Sequence, residues 1–291
     1  MKKKRAIKFL LISAALVVVA FACMNYNWSN RLIKAIETEN ITDFENIMEE
    51  KYCFSVNMPA GAPWGLQFTS EFAVKTPLQA ACEIGNYDMV KKLIDERANV
   101  NFSAFGAEVP LNAVICADTY ERFKIGRLLI DNGADPEEKD SWGVKPIINL
   151  ALSSPYSTVD VEKDVYCYDR KKDVDGMKLY KYLLEHVTNK QPEDPSTGEN
   201  ALIAAASMSN IELLKYIIEN QHININSTDN DGKTALFLYP ESNDKDEPSI
   251  RVAEILINAG IDVSIKDRHG KTAYDYAMED GNTYLAELIE P

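Results

Sequence analysis

Residues 76–101 read TPLQAACEIGNYDMVKKLIDERANVN, and this stretch decides the fold. Thr76 stands where a hydroxyl can cap a helix, and Pro77 suits the first helical turn, where a backbone N–H has no partner to lose. Ala80 and Ala81 are small enough to let this helix pack closely on its neighbours. Gly85 ends it, because glycine enters the left-handed backbone region without a Cβ penalty. Leu93 and Ile94 belong to a second helix and face a shared core. Such a pair of short helices cannot bury its own apolar face, so it is stable only when stacked on others like it.

The rest of the chain repeats this unit. Val109-Pro110-Leu111-Asn112-Ala113 begins another copy, and Pro110 lies 33 residues after Pro77. Lys145-Pro146-Ile147-Ile148, Asn200-Ala201-Leu202-Ile203, Thr234-Ala235-Leu236 and Thr272-Ala273-Tyr274 begin four more. Second helices are marked by Leu128-Leu129-Ile130, Leu183-Leu184, Leu213-Leu214 and Ile255-Leu256-Ile257. Two of these run on into Gly133-Ala134-Asp135 and Gly260-Ile261-Asp262. Asp231-Gly232-Lys233-Thr234 and His269-Gly270-Lys271-Thr272 mark turns between units.

These segments resemble the ankyrin repeat, whose core is Gly-x-Thr-Pro-Leu-His-x-Ala-Ala, a turn, a Val-x-x-Leu-Leu helix and Gly-Ala-Asp. The resemblance covers about residues 30 to 290. It implies an all-α repeat solenoid, an ankyrin-repeat array of about seven helix-turn-helix units with short finger turns. Residues 30–57 read as an opening cap and Tyr284–Leu288 as part of a closing one. The usual His of the family is replaced by Gln79, Asn112 and Asp275. Three insertions interrupt the period, near 58–71, 153–175 and 239–248, and the repeat domain as a whole spans 30–291. Long loops on such a scaffold are frequent sites of function.

The amino terminus has a separate character. Lys2, Lys3, Lys4, Arg5 and Lys8 precede an apolar run from Phe9 to Val19, followed by Ala20-Phe21-Ala22 and Cys23. Residues 1–22 therefore read as an export signal, with 23–29, including Trp28, as a tether. The apolar run is shorter than the roughly 20 residues that span a bilayer. Cys23 resembles the acylated cysteine of a bacterial lipoprotein, although Ala20 stands where such signals usually carry Leu. A lipid anchor at Cys23, a cleaved soluble protein and an uncleaved anchor all remain open. Each sends the body outward, because the positive end stays inside. The expected location is the periplasmic side, associated with the membrane, or else soluble in the periplasm. Such an oxidising compartment permits disulfides among Cys53, Cys82, Cys116 and Cys167, with three possible pairings. Cys82 sits at a position usually filled by a packed Ala, which favours a buried thiol.

The chain carries 31 basic and 45 acidic residues, and no acid precedes Glu37. Residues 23–291 retain 26 and 45, a net charge of −19. That charge repels phosphate backbones and argues against nucleic acid, while suiting a basic protein partner.

Motifs for chemistry fail on spacing. The triplets Gly232-Lys233-Thr234 and Gly270-Lys271-Thr272 lack the preceding glycine of a phosphate-binding loop, since Ser227 and Ile265 stand there. Asp229-x-Asp231-Gly232 resembles part of a calcium loop, but Leu238 occupies the position of its bidentate Glu. His186, His222 and His269 fall in different repeats. No enzyme, cofactor or metal site is expected.

By the resemblance, binding belongs to a concave face formed by finger tips and first helices. The candidate partner-binding residues are Phe102, Phe105, Ser141, Trp142, Val144, Asn230, Asp231, Lys233, Arg268, His269 and Lys271. Trp142 and Trp64 suit interface anchors, since Trp is enriched in hot spots. The reading is a monomeric, membrane-tethered, exported adaptor that binds another protein. Two alternatives are an immunity protein neutralising a secreted effector and an envelope scaffold supporting an enzyme.

Overall fold

The computed structural model describes residues 24, 27–50, 56–57, 75–102, 108–117, 119–153, 156–160, 165–168, 170–221, 223–237 and 247–290. Residues 1–22, where an export signal is expected, lie outside them, as do Cys23, Cys53, Phe105, His222, the insertion at 58–71 and residues 239–246 of the third insertion. The chain forms two compact units that divide between Ala134 and Asp135.

Among the described residues, the first unit holds three helix pairs. They are α1 (residues 27–37) with α2 (Ile41–Glu49), α3 (Pro77–Ile84) with α4 (Tyr87–Asp95), and α5 (Pro110–Cys116) with α6 (Arg122–Asp131). Helix α3 shows how local chemistry sets the boundaries. Thr76 Oγ1 accepts the Gln79 N–H at 3.1 Å, and Gln79 Oε1 accepts the Thr76 N–H at 2.6 Å, closing a capping box. Gly85 stops the helix at φ +72°. Any other residue there meets a second obstacle, because a Cβ would lie 1.8 Å from Thr119 Oγ1. Gln79 also explains its substitution for the family's histidine. Buried to 1%, it donates through Nε2 to the Glu108 carbonyl of the following repeat.

One expectation is overturned in α1. Trp28 is not part of a tether: it lies inside the helix, 2% exposed, with Nε1 donating to the Ile47 carbonyl at 2.9 Å. A buried indole packs against apolar neighbours only if its N–H finds a partner, and Ile47 supplies it. The folded body therefore begins before residue 30.

The second unit holds α7 (Pro146–Ala151), β1 (Tyr156–Asp160), β2 (Val165–Tyr168), α8 (Arg170–His186), α9 (Ala201–Ser207), α10 (Ile211–Asn220), α11 (Glu247–Asn258), α12 (Ala273–Glu279) and α13 (Thr283–Leu288). The strands are a local departure from an all-helical chain. They pair antiparallel, Tyr156 opposite Tyr168 and Thr158 opposite Tyr166, inside the 153–175 insertion. Helix α8 starts at Arg170, so the last residues of that stretch are helical. The copy beginning at Thr234 opens with a buried turn, Thr234–Phe237, and α11 supplies its second helix.

The second helices α2, α4, α10 and α13 share a starting device. Asn40, Asn86, Asn210 and Asn282 each accept, through the side chain, the backbone N–H three residues on. The residue before each asparagine is left-handed: Glu39, Gly85, Ser209 and Gly281 have φ of 50°, 72°, 51° and 72°. The apolar faces meet as expected. Leu93, Leu129, Leu183, Leu213, Leu214 and Leu256 are buried, whereas Ile94 and Leu128 are only half-buried. Among the described residues, no helix is long and apolar enough to cross a membrane.

Side-chain rungs join successive turns within each unit. In the first, Asn57 Oδ1 accepts the Asn99 N–H at 2.6 Å, and Asn101 Nδ2 donates to the Gly133 carbonyl at 2.7 Å. In the second, Glu137 Oε1 accepts the N–H groups of Thr188 and Asn189 at 2.5 and 3.1 Å. Gln191 Nε2 donates to the Gln221 carbonyl at 2.7 Å, and Asn226 Oδ1 accepts the Asp262 N–H at 2.8 Å.

Candidate protein-binding surface

The finger turns of the second unit are each organised by one aspartate. Asp140 Oδ1 accepts the N–H groups of Trp142 and Val144 at 2.9 and 2.8 Å. Asp229 Oδ1 does the same for Asp231 and Lys233, both at 2.8 Å. Asp267 Oδ1 does so for His269 and Lys271, at 2.9 and 3.0 Å. In all three the aspartate's own N–H donates to the carbonyl four residues on, and a positive-φ glycine, Gly143, Gly232 or Gly270, closes the loop. Asp194 organises a fourth finger one residue longer, holding the Ser196 and Thr197 N–H groups at 2.7 and 3.2 Å.

This arrangement assigns Asp229 and its equivalents to backbone N–H groups. Among the described residues, no group of three or more His, Cys, Asp or Glu side chains could hold a metal ion. The Gly-Lys-Thr triplets close fingers and start the next element: Thr234 and Thr272 are both buried, and Thr272 forms a capping box with Asp275.

The fingers are stitched to one another. The Asn230 N–H donates to the Thr197 carbonyl at 2.8 Å and its side-chain amide to the Ser196 carbonyl at 3.1 Å. The Arg268 N–H donates to the Asp231 carbonyl at 2.8 Å. Beneath the tips, the Tyr276 hydroxyl donates to Asp267 Oδ2 at 2.6 Å, and Lys233 and Lys271 lie 5.3 and 5.1 Å from its ring centre.

The candidate residues now separate. Ser141, Trp142, Asn230, Arg268 and His269 are exposed at finger tips, with Trp142 74% exposed. Asp231, Lys233 and Lys271 are half-buried. Val144 must be corrected. It is 5% exposed, because the residue that closes the aspartate turn points its side chain inward, so it offers no side chain to a partner. Phe102 belongs to the first unit and is 38% exposed. Sequence reasoning missed the finger at 194–199, whose Ser196 and Thr197 are exposed beside Asn230. The spacing Asp-x-x-Gly at 140, 229 and 267, and Asp194 with Gly198, was the available signal.

Charge at the fingers is tuned by these bonds. Burial pushes the Asp267 carboxyl up, but the Tyr276 hydroxyl and the Lys271 and His269 N–H groups outweigh it and hold it below the usual range. Asp194 is held low in the same way by Ser196 and Thr197. Glu199 is pushed up, by burial first and then by the nearby charges of Asp229 and Asp194. Away from the fingers, burial pushes the Cys82 thiol well above its ordinary value, which suits a packing role.

Known proteins share this architecture. A model of three ankyrin repeats matches residues 174–267, and a single-repeat model matches 75–104. A putative ankyrin repeat protein of Escherichia coli K12, YahD, is 21% identical over 72% of this chain and 92% of its own. The human ASB11 ankyrin repeat domain superposes with a TM-score of 0.62 at 16% identity, covering 89% of this chain and 97% of that one. An ankyrin repeat domain from Acinetobacter baumannii AYE gives 0.54 at 19% identity, covering 73% and 95%. A fold of this kind is typically a non-enzymatic module that binds other proteins. Residues 75–104 and 174–267 match ankyrin-repeat models, and the chain has the ankyrin-repeat fold.

Proposed function

We propose that this protein is an exported, membrane-tethered adaptor that binds another protein through the finger tips of residues 140–144, 194–199, 229–233 and 267–271. The observation that carries the reading is Trp142. A tryptophan left 74% exposed, on a turn held by two hydrogen bonds to Asp140, is a rigid apolar anchor that buries its surface only when a partner arrives. Around it lie exposed polar tips whose backbones are already fixed, so little order is lost on binding. The basic leader, apolar run and Cys23 support export and anchoring, and the net charge of −19 on residues 23–291 supports a basic partner.

The test is affinity capture from the native cell envelope with the wild type and a Trp142→Ala, Asp231→Lys double variant. A partner retained by the wild type and lost by the variant supports the reading. Equal retention moves the site away from these fingers. Fractionation of the cell, with the mass of the mature amino terminus, tests anchoring at Cys23: recovery of an unmodified protein in the cytoplasm would sink it.

A further inference from the structure

A ladder of backbone hydrogen bonds joins the fingers of the second unit, and one rung of it is missing. At two successive seams the residue after the finger aspartate supplies the donor. The Asn230 N–H reaches the Thr197 carbonyl and the Arg268 N–H reaches the Asp231 carbonyl, both at 2.8 Å. At the seam between residues 140–144 and 194–199 that position is Pro195, which has no N–H to give. The two fingers are adjacent all the same, since a Cβ on Gly143 would lie 3.3 Å from Pro195 Cγ.

The acceptor side of the missing rung falls to Trp142. Among the described residues, neither the carbonyl nor the indole N–H of Trp142 has a hydrogen-bond partner. The indole is 74% exposed, and Pro195 is exposed on the neighbouring finger. Asp140 Oδ1 holds the backbone beneath through the Trp142 and Val144 N–H groups. One rigid residue thus offers an aromatic face and an open carbonyl together.

Charge narrows what can fill them. Residues 135–140 hold four acids and one lysine, and residues 193–199 hold three acids and no lysine or arginine. Such a seam draws a cation and repels a carboxylate or a phosphate. The ammonium of lysine is a compact, strongly hydrated point charge. The guanidinium of arginine is planar, stacks on an aromatic face and donates hydrogen bonds in its own plane. Of the two, arginine alone can cover the indole and reach a carbonyl beside it.

Resting on the reading of the finger tips as the binding surface, we propose that the seam of Trp142 and Pro195 takes an arginine side chain of the partner protein. Its guanidinium stacks on the indole, and one of its N–H groups fills the Trp142 carbonyl.

The probe is the capped tripeptide acetyl-Gly-Arg-Gly-amide, titrated into the isotope-labelled full chain and followed by NMR at the indole N–H groups. The chain has three tryptophans, so the resonance that disappears in Trp142→Ala is that of Trp142. The arginine peptide should shift this resonance to saturation, with an affinity at least about threefold above that of the matching lysine peptide. Pro195→Ala returns a donor to the ladder and should weaken arginine binding by at least about threefold, because the carbonyl is then occupied. Equal response to arginine and lysine overturns the proposal by reducing the attraction to unspecific charge. An unmoved Trp142 resonance, or indifference to Pro195→Ala, overturns it as well. If Trp142 ignores arginine but is still required for capture of a partner, the finger-tip surface stands and its arginine ligand falls; if Trp142 is required for neither, both fall.

Discussion

Arg268 meets Asp231 twice, through its backbone N–H on the Asp231 carbonyl at 2.8 Å and through its guanidinium Nη1 on the Asp231 carboxylate at 2.7 Å. The two contacts differ in worth. The ion pair joins side chains that are 60% and 38% exposed, where water screens most of the attraction. A double-mutant cycle of Arg268→Ala and Asp231→Ala, read by urea unfolding, should give a coupling below about 1 kcal/mol. The backbone bond survives both substitutions, so the fingers should keep their spacing.

Gly85 is constrained twice and Gly133 once. Both have positive φ, 72° and 90°, but a Cβ at Gly133 meets nothing within 4 Å, whereas at Gly85 it strikes Thr119. Gly133→Ala should lower stability by about 1–2 kcal/mol, the penalty of the left-handed region alone. Gly85→Ala should lose clearly more, and Thr119→Ala in the same chain should restore part of the difference. Chemical denaturation of the four proteins checks this.

Ser209 holds φ +51° where Gly85 and Gly281 stand in other repeats. Ser209→Gly removes the strain of a side chain in that region and should stabilise the protein by about 0.5–1 kcal/mol, despite the added freedom of the unfolded chain. A lower midpoint of denaturation in Ser209→Gly would contradict this account of the turn.

The finger carboxylates set a dependence on pH. Asp194 and Asp267 have folded-state pKa values below their unfolded ones, so their contribution is complete above about pH 4 and fades as pH falls through the folded values. Glu199 has the opposite sign. Its folded-state pKa is raised, so it detracts from stability as pH climbs above about 4.3. Glu199→Gln should therefore stabilise the protein at pH 7 and leave it unchanged below about pH 4. Denaturation midpoints from pH 3 to 7 would test both signs.

Trp142→Ala separates folding from recognition. With 74% of its surface in water, the side chain should contribute within about 0.5 kcal/mol to stability. For a partner that uses it as an anchor, the same change should cost about 2 kcal/mol or more of binding. A large fall in stability would show that the ring packs on its own fold.

Much of this was legible from residues 76–101. Thr76, Pro77 and Gly85 have narrow backbone roles, so their recurrence fixed helix starts and stops wherever they returned. The readings that failed involve residues whose role depends on a neighbour distant in sequence. Trp28 follows an apolar run closely and reads as part of a tether, but its partner, the Ile47 carbonyl, is 19 residues away. Val144 follows an exposed tryptophan, and only the Asp140 turn shows that the next side chain but one points inward. A hairpin within a helical repeat was likewise hidden, because residues 156–168 carry neither the repeat's glycines nor its alanines.

The rungs at Asn57, Asn101, Gln191 and Asn226 have a mechanical consequence. Each joins one turn to the next and none reaches further, so tension on the chain is borne by a single seam at a time. Pulled from its ends in an optical trap, either unit should yield repeat by repeat, as a staircase of small ruptures. Removing the amide of Asn226 should lower the force of the step between its repeat and that of Asp262, and leave the other steps where they were.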